Sequence, residues 1–124
     1  VGGASATGLG EDLMKGCISY EIVRLMKEGL KPQEACEKAV SELDKKLREK
    51  RGEAGDLSVV AMNNQGEFGC ATNIDGFSFS VATGEQEPIV YLVNREEDGR
   101  CTFAEASREW LEEYMRVRMA PVEE

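Results

Sequence analysis

Ser5-Ala6-Thr7-Gly8-Leu9-Gly10-Glu11 joins two unlike stretches of the chain, and its reading decides the fold. Before it, Val1 to Ala6 is a run of small residues suited to a strand. After it, Asp12 to Glu28 carries a helical pattern. Two glycines bracket Leu9 beside the Thr7 hydroxyl. A strand-to-helix turn of this composition lets backbone approach a ligand closely and aims N–H groups at an oxygen anion. The plainer reading is a tight turn that ends a strand, and an isolated T-G-x-G favours it. The chain opens without methionine at Val1-Gly2-Gly3-Ala4, which reads as the interior of a larger protein.

From Gly10 to Asp12 onward a helix is expected, with Glu11 and Asp12 suited to its positive end. Met14, Ile18, Ile22, Leu25 and Met26 recur at helical spacing, joined by Leu13 and Cys17 on a broad stripe fit to lie on a sheet. Gly29 is placed to end that helix, and Pro32 to begin the next. The second helix turns Cys36, Ala39, Val40, Leu43 and Leu47 inward. Neither helix offers chemistry.

Arg51 to Asp56 reads as a polar loop. Leu57 to Met62 and Phe68 to Thr72, joined through Asn63-Asn64-Gln65-Gly66, read as a β-hairpin. Phe77, Phe79 and Val81 alternate with Ser78, Ser80 and Ala82, which predicts a half-buried third strand. Ile89 to Val93 reads as an edge strand. Thr102 and Glu105 have the spacing of a capping box, so a helix is expected at about 103–118, with Phe103, Ala106, Trp110, Tyr114 and Val117 on one face. Trp110 is read as a packing anchor rather than a ligand platform. Pro121 and the acidic Glu123-Glu124 mark a tail. Helices on one face of an antiparallel or mixed sheet make the class α+β.

The composition narrows the function. The chain has 124 residues, one domain or a piece of one, and 41% of them are hydrophobic, enough for a core. Its formal net charge of −9 opposes a phosphate backbone, so nucleic acid is not an expected partner. The basic cluster Lys45, Lys46, Arg48, Lys50 and Arg51 reads as a solvated helix end. No stretch approaches the roughly 18 apolar residues of a membrane helix, so no membrane partner is expected. Histidine is absent, which removes any Ser-His or Cys-His pair from this chain. Cys17, Cys36, Cys70 and Cys101 form no C-x-x-C, and neither a metal nor a cofactor is expected. Cys17 and Cys36 fall on apolar helix faces, while Cys70 and Cys101 could pair. The compartment is left open: cytoplasmic, periplasmic or lysosomal.

Ala6-Thr7-Gly8-Leu9-Gly10-Glu11 resembles the A-T-G-x-G-E/D segment of the glycosylasparaginases and plant-type asparaginases, which are N-terminal-nucleophile hydrolases. The likeness continues through Arg24-Leu25-Met26-Lys27-Glu28-Gly29 and Pro32-Gln33-Glu34-Ala35-Cys36. It resumes at Asn64-Gln65-Gly66-Glu67-Phe68-Gly69 and Asp75-Gly76-Phe77-Ser78-Phe79. It covers residues 1 to about 82, and the order of its pieces makes it specific. The resemblance implies a four-layer αββα sandwich made as one precursor, which cuts itself before a threonine into α and β chains. That threonine then attacks the side-chain amide of asparagine or of a glycosylated asparagine.

The resemblance also implies roles. The Thr7 hydroxyl would belong to the oxyanion hole, and Gly8 would lie beside the substrate. The nucleophile and a G-R-V-G-D-S segment for the substrate's α-carboxylate and α-amine are expected upstream. The chain is thus expected to be the C-terminal portion of a β chain over 1–93, with an extension at 94–124. Alone it should be inactive. Its expected partners are the rest of the β chain, the α chain, an (αβ)2 assembly and a small substrate with an asparagine or aspartyl moiety. The Gly2-Gly3-Ala4 lead and the pieces at 66–69 and 75–77 favour the glycosylasparaginase branch over isoaspartyl peptidase. A non-enzymatic interaction module is the alternative class. In animal glycosylasparaginases a cystine involves the position of Cys36, but its partner position is Ala61 here, so Cys36 is expected to be a free thiol.

Overall fold

The computed structural model describes residues 1–123; Glu124, read with Glu123 as an acidic tail, lies outside them. The small residues at the start form strand β1 (Gly2–Gly8). Two helices follow, α1 (Gly10–Gly16) and α2 (Ile18–Lys27). The single helix expected here is broken at Cys17, which takes φ 44° and ψ 46°. The cause is tertiary. A Cβ at Gly16 would lie 2.7 Å from a Leu43 methyl, so the end of α1 runs against the later helix that carries Leu43 and the chain must turn. The break also rotates the stripe. Ile18, Ile22, Leu25 and Met26 are buried as expected, whereas Met14, 70% exposed, and Cys17 face out.

Helix α3 (Pro32–Arg51) starts at Pro32 as the sequence predicts and ends at Gly52 in the left-handed region. Its inward residues Cys36, Ala39, Val40, Leu43 and Leu47 are all buried. The hairpin is β2 (Leu57–Asn63) and β3 (Phe68–Thr72). Asn63 holds its turn by accepting at Oδ1 from the N–H groups of Gln65 and Glu67.

These strands make an antiparallel sheet in the order β1-β2-β3. Ala4 stands opposite Ala61 and Ala6 opposite Val59, while Ala61 and Val59 stand opposite Gly69 and Ala71. Cross-strand partners share a face. That face lies under the helices: a Cβ at Gly69 would run into the Pro32 and Gln33 backbone. Small residues on the strands allow the close approach, and the large aliphatics come from α2 and α3.

The second sheet is β4 (Ser78–Thr83), β5 (Gln86–Arg95) and β6 (Cys101–Glu105), antiparallel in that order. The segment read as an edge strand is therefore the centre of a sheet. Pro88 fits because β6 pairs only from Tyr91 onward, so Pro88 lies beyond that ladder. The rings of Phe68, Phe79, Tyr91 and Phe103 meet with centroids 5.1–6.2 Å apart and join the second sheet to the helix-free face of the first. Two residues of α3 secure the junction. The Gln33 amide donates to the Cys70 and Cys101 carbonyls, and the Glu37 carboxylate accepts from Cys101 N–H. The layering of helices, sheet and sheet is of the αββα type, with both sheets antiparallel.

Helix α4 (Arg108–Arg118) begins five residues later than the Thr102/Glu105 pattern implied. Thr102 and Glu105 lie in β6 instead. Cys101 is buried and Phe103 half-buried while Thr102 and Ala104 are exposed, so the strand alternation outweighs the T-x-x-E spacing. Ser107 is the true cap, its Oγ accepting from Trp110 N–H at 3.0 Å. No residue of α4 is buried. Trp110 anchors no core; it stacks on Tyr114 of its own helix at 5.0 Å. Among the described residues no helix is long and apolar enough to cross a membrane.

Candidate active site

Strand alternation puts Gly3, Ser5 and Thr7 on the helix-free face of the first sheet. Thr7 lies near the end of β1, exposed. Gly8 follows at φ +133°, a conformation L side chains rarely adopt. A Cβ there would also collide with the Asp56 carbonyl. The same carbonyl accepts from Leu9 N–H at 2.8 Å. Gly8 is thus required by the turn alone, before any ligand is considered. The Leu9 N–H is spent on the scaffold and is not one of the donors the sequence suggested for an anion.

The turn rests on a buried carboxylate. Asp12, one turn into α1, has 0% of its surface exposed. Arg51 grips it with both terminal nitrogens, one bond measuring 2.7 Å. Gly55 N–H donates to it at 2.8 Å, and Lys15 stands 3.6 Å away. The Arg51 guanidinium is the main reason the Asp12 pKa falls to about 2, against the opposing effect of burial. Arg51 is therefore a structural partner, not the solvated helix-end charge it resembles in sequence. Asn73 extends the support: its Oδ1 accepts from Leu57 N–H, and its amide donates to Gly55 O and Asp44. Loop 52–56, which carries Asp56 against Gly8, is fixed from both sides. Sequence reasoning missed Asp12, Arg51 and Asn73. The available signal was Asp12 beside Leu13, a charge on an inward stripe.

A second arrangement depends on register. Thr7 stands opposite Ser58, and Ser58 opposite Thr72, so three hydroxyl residues cross the sheet in one row on the helix-free face. Ser58 and Thr72 are each 2% exposed, and their hydroxyl oxygens lie 2.8 Å apart. Thr72 Oγ1 also accepts from Ile74 N–H at 3.2 Å. Farther along the same face, a cleft of about 530 Å³ opens between Ser5, Val60, Met62 and Phe68 of the first sheet and Phe79 and Val81 of the second. Thr7 is not among its walls, so the cleft and the hydroxyl row are separate features.

The cysteines are free thiols. Cys36 is buried, as expected, and burial pushes its pKa up to about 12. Burial likewise pushes Cys70 up to about 12 and raises Cys101. These thiols stay protonated and unreactive at neutral pH. Cys70 and Cys101, which the sequence allowed to pair, are unbridged.

A family model described as asparaginase matches residues 1–92. The chain belongs to that family. A 36% identity over 83 residues links it to an N(4)-(beta-N-acetylglucosaminyl)-L-asparaginase of Elizabethkingia miricola, covering 65% of this chain and 24% of the relative. A probable isoaspartyl peptidase/L-asparaginase 3 of Arabidopsis thaliana is 32% identical over 89 residues, covering 72% of this chain and 23% of the relative. A second N(4)-(beta-N-acetylglucosaminyl)-L-asparaginase, of Rattus norvegicus, is 34% identical over 84 residues, covering 64% and 23%. The chain spans about a quarter of the length of these relatives. Family membership brings the N-terminal-nucleophile class with it, and it agrees with the αββα layering.

Proposed function

We propose that this chain is part of an amidohydrolase that cleaves the side-chain amide of asparagine or N-glycosylated asparagine. It supplies the oxyanion wall, the covering helices and part of the double sheet. The nucleophile is an N-terminal threonine from another segment of the precursor. Its hydroxyl gives its proton to the same threonine's α-amine as it attacks the amide carbon, the carbonyl oxygen becomes an oxyanion, and the Thr7 hydroxyl donates a hydrogen bond to it. The α-amine passes that proton to the amide nitrogen, collapse breaks the C–N bond and expels ammonia or the glycosylamine, and water then releases the acyl group. Gly8 lies beside the substrate, where the lack of a side chain that its turn requires also leaves room. Residues 94–124 are an extension of this unit, and the complete protein works as an (αβ)2 assembly. The observation that carries the reading is an exposed hydroxyl on the helix-free face at a strand-to-helix turn, within the stretch 1–92 that the asparaginase family model matches. The glycosylasparaginase branch is favoured because two of the three relatives above bear that name. The Arabidopsis relative supports isoaspartyl peptidase as the second reading.

Thr7→Val in the complete, processed protein is the test. It keeps the branched shape and removes the donor. A single oxyanion donor is worth about 10² to 10³ in kcat, and its loss should leave KM nearly unchanged. Processing is checked by gel. Near wild-type kcat in a folded, fully cleaved preparation removes Thr7 from the mechanism. Assays with a glycosylated asparagine, free asparagine and an isoaspartyl dipeptide separate the branches.

A further inference from the structure

We propose that Ser58 and Thr72 are positioning residues that aim the Thr7 hydroxyl, through a one-way chain of hydrogen bonds across the first sheet. The proposal rests on the reading of Thr7 as an oxyanion donor. The register lays the three hydroxyl residues side by side on one face, each on a neighbouring strand. Each hydroxyl has one proton to give and lone pairs to receive. The direction of the chain follows from burial.

Thr72 and Ser58 are both buried, so each proton needs an acceptor. Thr72 Oγ1 already receives Ile74 N–H, and the hydroxyl within its reach is Ser58 Oγ at 2.8 Å. If Ser58 donated to Thr72, the Thr72 proton would have to find another acceptor in the interior. If Thr72 donates to Ser58, Thr72 is satisfied, and the proton left to place is that of Ser58, on the other side of its strand. The hydroxyl residue on that side is Thr7. Among the described residues Ser58 Oγ is bonded to Thr72 and not to Thr7, but Cβ atoms of directly opposed residues lie about 4.5–5.5 Å apart, which puts this last link within reach of a rotation about the Thr7 Cα–Cβ bond.

The order of donation is then Ile74 N–H to Thr72, Thr72 to Ser58, and Ser58 to Thr7. Thr7, having accepted, keeps one free proton, and it points away from the sheet partners toward the open side. An exposed threonine hydroxyl otherwise spreads its proton over several rotors and over water. A donor already aimed at the developing charge avoids that reorganisation. Successive bonds along a chain also polarise one another. The plain alternative is that Ser58 and Thr72 merely stitch β2 to β3.

A double-mutant cycle in the complete processed protein separates these roles, using wild type, Ser58→Ala, Thr7→Val and the double variant. Losing the aim of a retained donor should lower kcat by roughly three- to tenfold in the Thr7 background, with KM unchanged. In the Thr7→Val background Ser58→Ala should have no effect on kcat, because no donor remains to be aimed. Equal kcat losses in both backgrounds overturn the chain while leaving Thr7 as the donor. Wild-type kcat in Thr7→Val overturns the oxyanion reading and this proposal together. If Ser58→Ala yields no folded protein, Thr72→Val and Thr72→Ser are compared. A loss of kcat in Val that is absent in Ser supports the chain, and equal kcat in the two overturns it.

Discussion

The helix-covered half of the molecule and the half that follows β3 are built to different degrees of closure. In the first, α2 and α3 deliver Ile22, Leu25, Val40, Leu43 and Leu47 onto Leu57, Val59 and Ala71, all of them buried. In the second, Val93, Cys101 and Ala106 are the buried hydrophobics, and α4 has none. Tyr114, Met115, Val117 and Met119 of α4 and its end stay exposed. The difference shows where the fold draws its stability. Burial of aliphatic surface contributes roughly 1.5–3 kcal/mol per large side chain, and nearly all such burial lies before Thr72. The second sheet is held instead by aromatic contacts and by Gln33 and Glu37 reaching over from α3. The match to the asparaginase family ends at residue 92, before β6 and α4, the least covered part.

Substitutions at one buried and one exposed position, one from each half, test that contrast most directly. Leu25 is 1% exposed, and Leu25→Ala should cost about 2–5 kcal/mol through lost transfer energy and the cavity left behind. Met115 is 53% exposed, and Met115→Ala should change stability by less than about 0.5 kcal/mol. Denaturant unfolding of the two variants beside wild type gives both numbers. Similar losses would break the comparison and mean that α4 carries load in the folded protein.

The next effect in size belongs to Asp12. Its carboxylate ties α1 to the end of α3 and to loop 52–56. Removing one partner of a buried pair strands the other, so Asp12→Asn should lower Tm by an amount on the order of 5–10 °C. The pH dependence has a definite sign. The folded pKa is depressed from 3.8 to about 2, so this group stabilises the fold above pH 3.8 and the contribution is lost as pH falls toward 2. Wild type should lose stability across that window more steeply than Asp12→Asn. Parallel melting curves over the same window show that the pair is not structural if the two proteins decline together.

Much of this architecture is legible in the chain, and the exceptions share a cause. Pro32 and the Cys36-to-Leu47 stripe locate α3 because the information is local. Asn63 to Gly66 between two apolar runs locates the hairpin for the same reason. The break at Cys17 is set by Leu43, a residue of another helix. Strand β6 is five residues long, so in the sequence its alternation is too brief to stand out beside the T-x-x-E match. Arg51 reads as a solvated charge because Asp12 is 39 residues away. Thr7 and Gly8 stand out through family resemblance, since the local spacing favours a plain turn. The turn does need Gly8, for the steric reason at Asp56. Ser58 and Thr72 gave no signal, because only strand register brings them into line with Thr7.

The smallest expected effect asks whether the well-packed half also stores strain. Cys17 sits in the left-handed region at φ 44°, the one non-glycine residue with positive φ among the described residues. An L residue there costs about 1–2 kcal/mol relative to right-handed backbone, because its Cβ crowds the following carbonyl. The side chain is exposed and makes a long contact from Sγ to Met14 O at 3.6 Å, so little packing is lost with it. Glycine removes the crowding but adds freedom to the unfolded chain. The balance for Cys17→Gly should be a gain of about 0.5–1 kcal/mol. Cys17→Ala is the control: it discards the thiol, keeps the Cβ, and should be near neutral. Tm and denaturant midpoint for the pair separate backbone strain from thiol chemistry. A Gly variant no more stable than the Ala variant would show that the break between α1 and α2 is unstrained, and that the closed half has reached its packing without a local cost at Cys17.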